Sequence, residues 1–227
     1  MPARFLDLSH TIREGLVTYP GLPAPYFTPH LTREASRGVY APGTEFGLDL
    51  ITMIGNTGTY IDSPFHRYAD GGDLSSFALE QLAELPARVL RFVDAPDRGI
   101  GADAFEGQDL AGAAILLHTG WDRYFGTPAY GEPAPFLSEA GAQALIDAGA
   151  VLVGIDSVNI DDTQSGGYRP AHSLLLAAGI PIVEHLTKLG NVPDSGATFT
   201  AVPPKVEAFG TFPVRAYATV RWASRIR

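Results

Sequence analysis

The chain of 227 residues contains no cysteine. It therefore cannot form a disulfide, use a thiolate nucleophile or bind a metal through cysteine sulfur. Any metal must be held by nitrogen or oxygen ligands from His, Asp, Glu or Asn side chains. A cytoplasmic location is the simplest expectation for a chain without cysteine.

Positive charge and long apolar runs are also scarce. The formal net charge is −9, with 16 Lys and Arg against 25 Asp and Glu, whereas a nucleic-acid or anionic-membrane partner would require a basic surface. The longest apolar runs are far shorter than the roughly 20 residues that span a bilayer. We therefore expect no nucleic-acid or membrane partner, and a small molecule as the substrate.

Several common catalytic motifs are missing as well. The sequence has no Gly-x-Ser-x-Gly motif of a serine hydrolase and no phosphate-binding or dinucleotide-binding glycine pattern. Its six histidines, at positions 10, 30, 66, 118, 172 and 185, never show the His-x-x-x-His spacing of a helical zinc site. These absences leave chemistry that is carried by dispersed His, Asp and Glu residues.

The composition is that of a globular protein with a substantial core, since 45% of the residues are hydrophobic and 18% are charged. No repeat, low-complexity tract or linker stands out, so we predict a single domain over residues 1–227. Apolar runs without alternation, such as Ala113 to Leu117 and Val151 to Ile155, predict strands that are covered on both faces. Helices are predicted at Leu74 to Leu82, Pro135 to Ala148 and Ala171 to Ala178. Together these elements indicate an α/β or mixed β-rich core surrounded by helices.

Polar residues follow four of the predicted strands. They are Asp62, His118, Asp156 and Glu184. Functional side chains commonly lie where a scaffold strand passes into a loop, so this placement suggests a shared site. Glu184 follows an apolar run, and a buried carboxylate needs a partner. A metal ion or an ion pair with Arg169 or Arg67 would serve equally well.

The stretch from Asn56 to Arg67 carries the densest group of polar residues. Asp62 and His66 lie four residues apart, but Pro64 between them disfavours a long helix and favours a strand end with a tight turn. Each residue also has a structural interpretation: Asp62 as a turn residue bonded to its own backbone, and His66 as a loop histidine. His172, near a predicted helix start, is either a ligand or base, or a histidine satisfied by a neighbour.

Motifs along nearly the whole chain resemble the cyclase family of metal-dependent hydrolases, which includes kynurenine formamidase, isatin hydrolase and a trans-dienelactone hydrolase. The motifs are Asp7-Leu8-Ser9, Tyr19-Pro20-Gly21, Gly58-Thr59, Asp62, Pro64, His66, Thr119-Gly120-Trp121, Gly154-Ile155-Asp156-Ser157, Ala171-His172-Ser173-Leu174-Leu175 and Ile182-Val183-Glu184-His185-Leu186. The resemblance implies a mixed α/β fold of the swivelling β/β/α type, with a β-barrel-like core and flanking helices. It also implies a divalent metal, Mn²⁺ or Zn²⁺, and a homodimer or homotetramer with the site near an interface.

The resemblance assigns roles to individual residues. The family pattern His-x-Gly-Thr-His-x-Asp-x-Pro-x-His places Asp62 among the metal ligands, with His172 and Glu184 as the later ligands, and His66 as the acid–base residue. The first two histidines of the pattern are replaced here by Asn56 and Tyr60. Neutral Asn is a weak oxygen ligand, and Tyr must first lose a proton with a free pKa of about 10. The remaining oxygen-rich shell suits Mn²⁺ or Mg²⁺ better than zinc.

The expected function is therefore a hydrolase of a small cyclic amide, a lactone or an aryl formamide. A metal on Asp62, His172 and Glu184 would activate water, with His66 as proton shuttle. Candidate substrate-binding residues are Arg67, Asn56, Phe65 and Trp121. One alternative is a metal-independent cyclase, dehydratase or isomerase that uses Tyr60 and His66 as proton donors and acceptors. Another is a catalytically silent protein that binds a small molecule.

Overall fold

The computed structural model describes residues 3–221, which form a mixed α/β fold with few helices. The strands, in chain order, are β1 (Ala3–Asp7), β2 (Tyr26–Leu31), β3 (Leu48–Thr52), β4 (Tyr60–Asp62), β5 (Leu85–Arg91), β6 (Gly99–Ile100), β7 (Ala114–His118), β8 (Phe136–Leu137), β9 (Leu152–Ile155), β10 (Ile182–Glu184), β11 (Ala197–Thr200), β12 (Thr211–Pro213) and β13 (Tyr217–Arg221). The α-helices are α1 (Arg33–Ser36), α2 (Glu139–Asp147) and α3 (Pro170–Ala177). Short 3₁₀ turns, including Pro64–His66 and Pro128–Gly131, connect several of them.

Nine strands form one curled sheet in the order β1-β13-β11-β5-β7-β9-β10-β4-β12. Its centre, from β5 to β10, is parallel, and the strands on either side join it in antiparallel pairs. Strands β7 and β9 are apolar at nearly every position because both faces of the central sheet are covered. Leu116 points into one hydrophobic cluster, while Ile115 and Leu117 point into the other.

The sheet register brings polar residues together at one edge. Tyr60 of β4 lies opposite Glu184 of β10, and Asp62 lies opposite Thr211 of β12. Directly opposed residues in an antiparallel pair have close side chains. The three strands therefore assemble part of a site in which β4 lies more than 100 residues before β10 and β12 in the sequence.

The strands predicted from apolar runs are confirmed, with small shifts of their ends. The strand end and tight turn predicted around Pro64 are also confirmed, since β4 ends at Asp62 and Pro64–His66 forms a 3₁₀ turn. Helix α2 begins at Glu139, with the Ser138 hydroxyl as its N-cap. The preceding segment, Phe136–Leu137, is not helical because it pairs with β6.

The predicted helix from Leu74 to Leu82 is wrong. The segment is a series of turns that ends in a single 3₁₀ turn, Leu79–Gln81. The Asp73 carboxylate accepts hydrogen bonds from the backbone N–H groups of Ser75 and Ser76 at 2.9 and 3.1 Å. This local turn competes with helix formation, as Asp side chains commonly do.

Candidate active site

A cavity of about 390 Å³ opens at the polar edge of the sheet. Its lining combines acid–base groups with two arginines: Asn56, Tyr60, His66, Arg67, Asn159, Gly167, Tyr168, Arg169, His172, Ser173 and Glu184. Asp62 lies beneath it and is fully buried. A concave site with a few convergent polar groups is the usual form of a small-molecule site.

The two carboxylate oxygens of Asp62 differ in their hydrogen bonding. Its Oδ1 accepts a short hydrogen bond from the Thr211 hydroxyl. Its Oδ2 is buried and has no hydrogen-bond partner among the described residues, but lies 3.7 Å from His172 Nε2. A buried carboxylate oxygen without a partner is costly, so this atom marks a place for a cation or a proton.

His172 is oriented by the start of helix α3. The Asp161 carboxylate accepts from the backbone N–H groups of Ala171 and His172, at 2.7 and 3.1 Å, and pairs with His172 Nδ1 at 2.6 Å. Because the carboxylate accepts, Nδ1 carries the proton, and Nε2 faces Asp62 and Glu184 at 3.7 Å from each. Burial alone would lower the pKa of His172, but the hydrogen bonds to Asp161 and Asp62 and the charge of Glu184 raise it to about 10.

Glu184 is held by two hydrogen bonds of 2.5 Å. The backbone N–H of Ile160 donates to Oε1, and the Tyr60 hydroxyl donates to Oε2. Burial, reinforced by the charge of Asp62, raises the pKa of Glu184 to about 7, although the cation of His172 opposes this. Burial and the charge of Glu184 also raise the pKa of Tyr60 well above its ordinary value, so Tyr60 is a neutral hydrogen-bond donor.

His66 lies at the mouth of the cavity, and its side chain is 36% exposed. Its Nδ1 is 2.7 Å from the Thr211 hydroxyl oxygen. Because the Thr211 hydroxyl donates its hydrogen bond to Asp62, its oxygen accepts a hydrogen bond from His66 Nδ1–H. In the neutral ring Nε2 is then unprotonated. Gly210 permits this contact, since a Cβ there would lie 2.6 Å from the backbone of His66.

The comparisons with known proteins agree on one family. The family model named Cyclase ("Putative cyclase") matches residues 6–162. A kynurenine formamidase of Geobacillus thermodenitrificans is 33% identical over 215 residues, which cover 93% of this chain and 95% of the relative. The chain belongs to the cyclase family.

Solved structures of the cyclase family share the fold. An isatin hydrolase bound to the product analogue thioisatinate has a TM-score of 0.83 at 22% identity, covering 97% of this chain and 93% of the other. A "Potential Metal-Dependent Hydrolase With Cyclase Activity" has a TM-score of 0.78 at 26% identity, covering 98% of this chain and all of the other. The predicted mixed α/β fold is confirmed, with its curled sheet forming half a barrel.

The residues at this cyclase-family site fit a divalent metal. Asp62, His66 and His172 each offer one ligand atom, and these atoms lie within 4.8 Å of one another. The unpartnered Asp62 Oδ2 and His172 Nε2, the ring nitrogen that Asp161 does not contact, face the same space. A bound metal would displace the proton that Nε2 carries in the cationic ring. Glu184, the other predicted ligand, is adjacent, but both of its oxygens already accept hydrogen bonds.

The structure separates the predicted site residues into two groups. It brings Asn56, Tyr60, His66, Arg67, His172 and Glu184 to the cavity, above Asp62. Phe65 does not line this cavity, and Trp121 lines a different one, where its indole N–H donates to the Tyr130 carbonyl at 3.1 Å. These two positions give no support to their predicted contact with substrate.

The suggestion that four strand-end residues share one site is only half right. Asp62 and Glu184 meet, whereas Asp156 accepts from the backbone N–H groups of Thr119 and Gly120, at 2.7 and 2.9 Å, and so fixes the turn after β7. His118 lies beside Asp156 and does not line the cavity. His118 is remote because β7 lies two strands from β10, whereas Asp156 follows the neighbouring strand β9 but is engaged by the turn after β7.

Sequence reasoning missed three residues that support the site. Asp161 orients His172, Thr211 bridges Asp62 and His66, and His185 contacts Tyr60. Asp161 lies in one loop with Asp156 and Asp162, and the sequence alone does not single it out from them. Thr211 lies outside the family motifs. His185 lies within the motif of residues 182–186 but has no role assigned there, because its contact with Tyr60 is made across the sheet.

Proposed function

We propose that this protein is a metal-dependent hydrolase that cleaves the C–N bond of an aryl formamide or a small cyclic amide. The observation that carries the proposal is the buried Asp62 Oδ2, which has no partner among the described residues and lies 3.7 Å from Nε2 of His172. Relatives named kynurenine formamidase and isatin hydrolase support the substrate class. Hydrolysis of a lactone would use the same groups in the same type of reaction.

Asp62 and His172 would hold the ion, with Glu184 as the next ligand. Mn²⁺ and Zn²⁺ are the expected metals, and the oxygen-rich shell favours Mn²⁺. When bound, a divalent metal lowers the pKa of water and polarises a carbonyl group. Asp161 keeps the His172 ring in the orientation that presents Nε2 to this place.

His66 is the proposed proton shuttle. Its Nδ1–H is held by Thr211, and its Nε2 is free to take a proton from the attacking water. The same nitrogen then delivers that proton to the amide nitrogen as the C–N bond breaks and the new carboxylate forms. The partial exposure of His66 at the mouth of the cavity allows contact with substrate.

Arg67 and Asn56 are the proposed substrate contacts. The Arg67 guanidinium lies over the Tyr68 ring, 5.2 Å from its centroid, and its Nε is 3.4 Å from the Ser173 hydroxyl. No carboxylate of the described residues forms an ion pair with it at 4.0 Å or less. A guanidinium with free donors at the cavity wall suits a carboxylate on the substrate.

The metal-free alternative receives less support from the geometry. The single hydroxyl proton of Tyr60 is committed to Glu184, so it is not free to protonate a substrate. If Tyr60 were nevertheless the general acid, Tyr60→Phe would reduce kcat by about 10²- to 10⁴-fold. A smaller loss would support the metal mechanism.

We further propose a homodimer or homotetramer that works in the cytoplasm. Strands β2 and β3 form a separate two-stranded sheet, and an isolated hairpin of this kind is only marginally stable in water. Its side chains include Tyr26, Leu48, Leu50 and Ile51, which are 47–58% exposed. A second copy of the chain would cover this apolar surface.

The decisive experiment combines metal analysis with activity. Protein purified without a metal-affinity tag is analysed for Mn²⁺ and Zn²⁺, then assayed with formanilide and isatin before and after chelation. We expect near-stoichiometric metal, chelator-sensitive hydrolysis, and loss of both in His172→Ala but not in the exposed control His30→Ala. Metal-free protein whose activity is insensitive to chelator would refute the metal mechanism. Absence of turnover with ligand binding retained would identify a silent binding protein.

A further inference from the structure

A chain of four buried side chains runs from a 3₁₀ turn to the active site. The Tyr130 hydroxyl is 2.7 Å from His185 Nδ1, His185 Nε2 is 3.2 Å from the Tyr60 hydroxyl, and that hydroxyl is 2.5 Å from Glu184 Oε2. None of the four residues is more than 2% exposed. Tyr130 and His185 have no part in the chemistry described above, yet they are joined to Glu184 by this series of hydrogen bonds.

The direction of each hydrogen bond follows from the last acceptor. Ionised Glu184 can only accept, so Tyr60 donates its one proton to it. The Tyr60 oxygen must then accept from His185 Nε2–H. Neutral His185 carries no second proton, so Nδ1 accepts from the Tyr130 hydroxyl. Each of the three donated protons in this series of hydrogen bonds has one acceptor, and only one ring tautomer of His185 is compatible with that arrangement.

The backbone at His185 is shaped to make this contact. His185 has a φ of 56°, a left-handed conformation that is uncommon for residues other than glycine. It follows the last residue of β10, and its carbonyl accepts from the Thr59 hydroxyl at 2.6 Å. In a continuing strand, consecutive side chains would point to opposite faces. The turn instead lets both Glu184 and His185 reach the hydroxyl of Tyr60.

We propose that Tyr130 and His185 are positioning residues, which hold the Tyr60 hydroxyl on Glu184 and thereby fix Glu184 beside His172. The catalytic consequence rests on the proposed hydrolase function. Without the Tyr130 hydroxyl, His185 can carry its proton on Nδ1, and its Nε2 then competes with Glu184 for the Tyr60 proton. Glu184 would lose one of its two donors, and the carboxylate would move relative to His172.

The test uses Tyr130→Phe, with Tyr124→Phe as the matched control. Tyr124 belongs to the same aromatic cluster, but its hydroxyl makes no hydrogen bond to His185 or Tyr60. The ring-nitrogen signals of ¹⁵N-labelled His185 report the tautomer directly. We expect the Nε2–H form in the unmodified protein and in Tyr124→Phe, and a shift toward Nδ1–H in Tyr130→Phe.

Kinetics supply the second measurement. Tyr130→Phe should lower kcat about tenfold with little change in KM, as for residues that orient a catalytic or ligating group. His185→Gln keeps one donor and one acceptor and should retain more activity than His185→Leu. If Tyr130→Phe matches Tyr124→Phe in both tautomer and kcat, or if Gln and Leu at position 185 are equivalent, the proposal is overturned. Because the tautomer is measured without substrate, failure of the hydrolase assignment alone would leave that test intact.

Discussion

At the scale of single residues, hydrogen-bond direction decides what each active-site group can do. Thr211 gives its proton to Asp62, and this forces His66 to present Nε2 to the cavity. Asp161 accepts a hydrogen bond from His172 Nδ1–H, and this leaves Nε2 facing two carboxylates. One acceptor-only carboxylate in each case fixes which ring nitrogen of a histidine faces the cavity.

Arg67 offers a prediction about substrate selection. Replacing it with Gln removes a cation that has free donors at the cavity wall. For an aryl formamide with an ortho-carboxylate, we expect kcat/KM to fall about tenfold, the scale of a lost hydrogen bond to a charged group. For neutral formanilide the change should stay within about twofold. Arg4→Gln, at an exposed position on β1, is the control, and an equal loss on both substrates would argue against carboxylate recognition.

His10 predicts a pH dependence of stability. Its ring stacks on Phe125 with centroids 3.5 Å apart, and its buried Nε2 has no hydrogen-bond partner in the described part of the chain. Burial lowers the pKa of His10 from 6.5 to about 4. Between these two values the unfolded chain binds a proton at His10 that the folded protein does not bind. The free energy of unfolding therefore falls as the pH falls from 6.5 to 4.

The variant His10→Phe keeps the stacking and removes the titration. Lowering the pH from 7.5 to 5 should reduce the free energy of unfolding in both proteins. The decrease should be about 1–2 kcal/mol smaller in this variant than in the unmodified protein. Urea unfolding at both pH values measures the difference. His30→Phe, at an exposed position, serves as the control. Parallel pH profiles for His10→Phe and the unmodified protein would contradict the assignment.

At the scale of elements, helix α3 and its cap form one functional unit. Asp161 accepts three hydrogen bonds, two from the helix start and one from His172. Asp161→Asn should cost about 1–2 kcal/mol of stability, because the amide nitrogen cannot accept the hydrogen bonds that one of the two carboxylate oxygens accepts. It should also lower metal affinity or kcat by about 10- to 100-fold, because His172 loses its charged orienting partner.

Thermal unfolding and metal titration of Asp161→Asn separate the two effects. Asp147→Asn, which alters an exposed residue at the end of α2, should change neither metal affinity nor activity. If Asp161→Asn lost stability but bound metal and turned over substrate normally, the carboxylate would be a helix cap alone.

The elements differ in how far the sequence predicts them. Strands β7 and β9 follow from uninterrupted apolar runs, because burial on both faces leaves that pattern. The helix predicted after Asp73 is wrong, because the hydrogen bonds of a local turn outweigh the helical spacing of the apolar residues. Asp62 and His66 were predictable from their short motif. The roles of Asp161 and Thr211 were not, since Asp161 contacts a helix start about ten residues further along the chain and Thr211 contacts a neighbouring strand, and no local pattern encodes either partner.

At the scale of the whole molecule, sheet order explains how the site is assembled. Strand β4 enters between β10 and β12, so residues near positions 60, 184 and 211 become neighbours. Helix α3 then adds His172 from the connection between β9 and β10. The family motif predicted several members of the site, and the order of the strands brings them together.

No helix within residues 3–221 is long and apolar enough to cross a membrane.

The ribbon of β2 and β3 predicts self-association. Leu50 is 56% exposed and Ile51 is 58% exposed on a two-stranded sheet outside the main one. Leu50 lies on one face of this two-stranded sheet with Leu48, and Ile51 lies on the other. Large apolar side chains exposed on both faces favour burial against a partner. The double variant Leu50→Lys/Ile51→Lys should therefore shift the protein toward the monomer in light scattering or sedimentation. Leu79→Lys, which changes an equally exposed leucine outside the ribbon, should leave the oligomer unchanged. A monomeric unmodified protein, or an oligomer indifferent to the ribbon variant, would rule out this surface as the interface.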